Sequence, residues 1–109
     1  MAITATQTNA VDRVKSASGT HLDDAATPAA ATFTVGFKPT RIVFLNVTTR
    51  VGVEWIYGMA STVTLHTAAA GTRTRNTGSL ITLGSDNRSF TVAASLIAQN
   101  DECVWIASE

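Results

Sequence analysis

Residues 41–48, RIVFLNVT, constrain the fold of this chain more than any other stretch. Successive side chains of a strand point to opposite faces, so Ile42 and Phe44 face one way while Val43, Leu45 and Val47 face the other. A strand apolar on both sides asks for cover on both sides, from a second sheet or from another protein chain. Its neighbours are β-rich too. Phe33 and Val35 run into Gly36, Pro39 precedes the apolar run, and Val51, Val53, Trp55 and Tyr57 alternate with Gly52, Glu54 and Ile56. That alternation is the signature of a half-buried strand.

The same texture continues to residue 107, with short apolar segments and turn signals about every ten residues. Strands are expected over 63–67, 72–75, 80–83, 90–92 and 103–107, the last containing Trp105. Only AASLIAQ, 93–99, has a helical pattern, and it is long enough for about two turns. Roughly eight strands without βαβ spacing predict an antiparallel, jelly-roll-like β-sandwich. Phe44, Val53, Trp55, Leu65, Phe90 and Trp105 are expected in its core. Residues 1–31 read differently, with few large apolar side chains among Thr, Ala, Ser, Asp and Asn. They are assigned to an N-terminal arm and residues 32–109 to the β-sandwich domain. Val11 and Val14 suit either a helical turn or a short strand. The arm reads either as a tail or as a segment that orders against a neighbouring subunit.

Composition narrows the function. The 109 residues carry eight basic and eight acidic side chains, and charged residues make up only 15% of the chain. An average domain has about 25%. Eighteen threonines fill much of the difference, and their β-branched side chains suit a pleated surface. A surface poor in Lys and Glu resembles the core of a protein–protein interface and points to a homo-oligomer. With no basic excess to displace counterions, nucleic-acid binding is not expected. No apolar run reaches transmembrane length, and the N-terminus lacks the pattern of a secretion signal, so neither membrane insertion nor export is expected. The lone Cys103 lies in an apolar run and reads as a buried, inert thiol.

Chemistry-bearing motifs are scarce. His21 and His66 are far apart in sequence, and adjacent Asp23 and Asp24 suit a turn better than a calcium site. No metal or other cofactor is expected. Gly-x-Ser-x-Gly is absent. GTRTRNTG at 71–78 looks like a phosphate cradle but lacks the Gly-Lys-Ser/Thr ending and opens no expected helix. Arg73 and Arg75 share a strand face, either as a solvated pair guarding an edge or as a match for an acidic patch on a partner. Glu54 points away from Val53 and Trp55, with Arg41 or Arg50 as its ion-pair partner. Trp55 and Tyr57 share a face, which reads as core and alternatively as a sugar-stacking platform. The Asn46 and Asn87 sequons carry little weight, since Asn46 lies in an apolar strand.

GFKPTRIVFLNVT at 36–48 and VEWIYGMA at 53–60 resemble a pattern in small virion proteins of tailed bacteriophages. The shared features are an aromatic-x-Pro turn, a strand of the form R-[IV]-x-[FV]-x-N-x-T and an E-W strand ending in Gly-Met. GTRT at 71–74, RSFTVAASLIAQND at 88–101 and a Trp near the C-terminus fit as well. The resemblance implies a capsid cement (decoration) protein, a homotrimer over the major capsid protein of a short-tailed phage. It also implies location on the virion's capsid surface after synthesis in the host cytoplasm, and no catalytic residue. Arg41, Val43, Leu45, Val47, Glu54, Arg73 and Arg75 are the candidate interface residues. The alternative is a tail-fibre or host-recognition module that binds surface carbohydrate.

Overall fold

The computed structural model describes residues 15–109, which form an all-β sandwich of two antiparallel sheets. In chain order the strands are β1 (Ser16–His21), β2 (Ala31–Thr34), β3 (Arg41–Asn46), β4 (Val51–Ile56), β5 (Thr64–Thr67), β6 (Arg73–Asn76), β7 (Ile81–Leu83), β8 (Ser89–Val92) and β9 (Cys103–Ser108). A short 3-10 turn, Ala94–Leu96, precedes β9 where a helical pattern was expected. The larger sheet runs β1-β9-β3-β4-β5-β6 and the smaller β2-β8-β7. Strands β3 to β6 are consecutive neighbours in one sheet, a meander, because short turns hold successive strands side by side. At the β5–β6 corner Gly71 supplies a φ of 94°, open to glycine without steric cost, and its N–H donates to the Ala68 carbonyl at 2.8 Å.

The ninth strand, β1, lies inside the stretch assigned to the N-terminal arm. It pairs with β9 along its whole length, Ser16 opposite Ser108 through His21 opposite Cys103. Its inward positions are Ala17, Gly19 and His21, small or polar residues that leave almost no hydrophobic periodicity to read. Gly19 lies directly opposite Trp105, and a Cβ there would come within 2.9 Å of the indole Cζ2. The strand is shaped by the tryptophan it must cover. Residues 1–14, with Val11 and Val14, lie outside the described residues.

The core sits between the sheets. The larger sheet contributes Ile42, Phe44, Val53, Trp55, Cys103 and Ala107, and the smaller contributes Ala31, Ile81, Phe90 and Val92. An aromatic cluster ties the two. Phe33 stands 5.3 Å from Phe90 and 5.0 Å from Trp105, and Phe90 meets Trp105 edge-on at 5.5 Å. Pairs of this kind contribute about 0.5–1.5 kcal/mol each beyond the area they bury. Two expected core residues fall elsewhere. Leu65 pairs with Glu54 and so lies on the sheet's other face, because Thr64 takes the buried inward position of β5. Tyr57 follows the end of β4, where the chain turns at Gly58, and is 69% exposed.

Candidate functional site: the outer face of the larger sheet

The register of the larger sheet gathers the candidate residues on one surface. Val43 lies opposite Ile106 on one side and Glu54 on the other. Leu45 lies opposite Val104 and Gly52. Glu54 continues to Leu65, and Leu65 to Arg75, while Thr67 pairs with Arg73. Since directly opposed residues share a face, Arg41, Val43, Leu45, Glu54, Arg73 and Arg75 all lie on the side away from the smaller sheet. Val47, just past β3, borders the same surface beside Leu22 and Val104. The seven residues form one face.

That face carries apolar side chains that the other described residues leave uncovered. Leu45 is 44% exposed, Val47 50%, Ile56 45% and Ile106 44%. Val104, Ile106, Ile56 and Val63 belong to this face although they are absent from the sequence-based candidates. The available signal was the one used for β3: CVWI at 103–106 is apolar on both sides of its strand.

Two of the hollows that indent the face lie toward its β4–β6 side. One of about 440 Å³ is floored by Ile56, Met59, Ala60, Val63 and Leu65, with Glu54 and Arg75 at its margin. The other, about 220 Å³, lies beside it between Leu45 and Leu65, bordered by Arg50 and Arg73. Glu54 accepts a hydrogen bond from the Arg41 Nε at 3.1 Å, the partner reached diagonally across β3 and β4. Both side chains reach water, so the pair stabilises by about 1 kcal/mol or less. Among the described residues, Arg50, Arg73 and Arg75 have no carboxylate partner within ion-pair distance.

One end of the face is pinned by a buried polar cluster. The Asn46 side-chain amide donates to Asp101 Oδ2 at 2.7 Å and to the Leu96 carbonyl at 2.9 Å. Its Oδ1 accepts from the Thr49 N–H at 3.1 Å, and Asp101 also accepts from the Ala98 N–H. Asn46 is 3% exposed with its amide fully engaged, which leaves no room for a glycan. The network joins the β3–β4 turn to the loop before β9, so Leu45 and Val47 are held in a fixed frame.

Two further polar groups have their ionisation shifted by their surroundings. Cys103 is 1% exposed, and burial, helped by the nearby Asp101 charge, pushes its thiol pKa up. The Asp86 carboxylate is held below its ordinary range by the Arg88 N–H and the Ser89 hydroxyl, which shape the β7–β8 turn. GTRTRNTG spans the β5–β6 corner and β6 and opens no helix. Among the described residues no three His, Cys, Asp or Glu side chains converge as a metal site, and no helix is long and apolar enough to cross a membrane. Trp55 and Tyr57 do not form a joint stacking surface, because Trp55 is buried in the core. Comparison with protein-family models, curated proteins and solved structures gives no match to this chain.

Proposed function

We propose that this protein is a phage capsid cement protein that packs as a homotrimer on the outer surface of the major capsid protein. One observation carries the reading: seven residues selected from sequence share a single face of the larger sheet that the other described residues leave uncovered. A large exposed apolar face marks an interaction surface, and a sandwich with its own core can offer such a face without losing its fold. Several modest contacts made from one trimer multiply through effective concentration. A ligand that binds only the intact shell then stabilises it by mass action.

The test compares phage particles with and without the protein. Particles that retain it are expected to release DNA at a higher temperature and to survive osmotic shock better. Equal melting in both would overturn the cement role. The carbohydrate-binding alternative loses its proposed platform, since Trp55 faces the core.

A further inference from the structure

The outer face is not uniform in charge. Its β1–β9–β3 half presents the neutral Ser18, Thr20, Val104, Ile106, Val43 and Leu45, together with Arg41 at the start of β3, whose charge is paired by Glu54. Its β4–β6 half holds both central hollows, and there Arg50, Arg73 and Arg75 stand beside the single carboxylate of Glu54, which Arg41 already engages. Three of the chain's eight basic residues thus line two apolar hollows in a molecule of zero net charge. No other carboxylate lines either hollow.

Resting on the cement-protein reading, we infer that the β4–β6 half docks an acidic polypeptide surface that inserts an apolar side chain into the 440 Å³ hollow between carboxylates. The hollow's floor of Ile56, Val63 and Leu65 supplies the apolar contact. Arg75 and Arg73, projecting from alternate positions of edge strand β6, supply guanidinium groups that bind carboxylates in fork geometry. Charge complementarity selects the occupant. A second copy docked on the same half about a two-fold axis would set arginine against arginine, which assigns self-association to the neutral half. A nucleic acid would satisfy the arginines, but the hollow has no aromatic residue on which a base could stack.

The test uses the full-length protein with three probes: an acetylated Glu-Leu-Asp-Phe-Glu peptide, the same peptide with each acid replaced by lysine, and a deoxythymidine oligonucleotide. Backbone amide shifts are followed by NMR. The acidic peptide is expected to shift the amides of Val63, Leu65 and Arg75 and to bind more weakly as salt rises. Arg73→Glu with Arg75→Glu should weaken it about tenfold and make the lysine peptide the better ligand. Ala60→Trp, an exposed position lining the hollow, should fill the space and abolish the shifts with the fold intact. Equal binding of both peptides, no shift around the hollow, tighter oligonucleotide binding, or wild-type binding by Ala60→Trp would each overturn the inference. The two readings can fail separately. Shell stabilisation without charge preference sinks only the acidic partner, whereas acidic-peptide binding with unchanged particle melting sinks only the cement role.

Discussion

Asn46 shows how one polar residue in an apolar strand earns its place. All of its hydrogen-bonding groups are engaged at a site closed to water, and Asp101 depends on it for a charge-assisted partner. Asn46→Ala is therefore expected to destabilise the fold by about 1–3 kcal/mol, because Asp101 and the Thr49 N–H lose partners that water cannot readily replace. Urea unfolding measures this directly. Cys103 gives a second expectation. Its raised pKa keeps it a thiol at neutral pH, so a thiol reagent should label the native protein far more slowly than the urea-unfolded chain. The linkage has a definite sign. The unfolded thiol ionises near its ordinary value of 9.0 and the folded one only at higher pH. The stability tied to this group is thus fully present below that value and is lost as pH rises through the folded pKa. The melting temperature should fall in that alkaline window, and Cys103→Ala should flatten this part of the fall.

Strand β1 is the element whose role differs most from its sequence. A run such as SASGTH has little to bury, yet it completes the sheet over Trp105. Gly19→Ala is expected to cost about 1–3 kcal/mol, since the new methyl meets the indole ring and one of them must shift. The near-UV circular dichroism of the Phe33–Phe90–Trp105 cluster should change with it. Truncation separates arm from strand. A chain lacking residues 1–21 should unfold at lower urea than one lacking residues 1–14, because only the first loses the whole of β1. Identical midpoints would show that β1 contributes nothing to the sandwich.

For the whole molecule, the proposed function divides the two faces of the larger sheet between folding and association. The inner face carries the core that holds the single chain together, while the outer face carries the apolar surface that we propose another protein covers. Ile106→Lys, at an exposed position of the neutral half, should leave unfolding near wild type and dissociate the oligomer. An unpaired charge buried in an interface is costly. Sedimentation should show the wild type as a trimer and the variant as a monomer. A monomeric wild type at micromolar concentrations would refute the oligomer.

Period-two patterning and turn spacing were enough to determine the all-β class, most strand positions and the two-faced character of β3, because these depend on local geometry. The choice of Arg41 or Arg50 as partner of Glu54 was legible for the same reason, as the two strands are adjacent in sequence, and the fold selected Arg41. Other features depended on contacts between distant segments. The pairing of β1 with β9 rests on a glycine opposite a tryptophan 86 positions later, and small residues carry no hydrophobic period to announce it. Leu65 and Tyr57 left the core because register and the end of β4 turned them outward. The convergence of Val43, Leu45, Val104, Ile106 and Leu65 on one face came from strand order, which no local pattern encodes. Sequence established that β3 needed cover on both sides; the tertiary structure supplied the smaller sheet on one side, and among the described residues nothing covers the other.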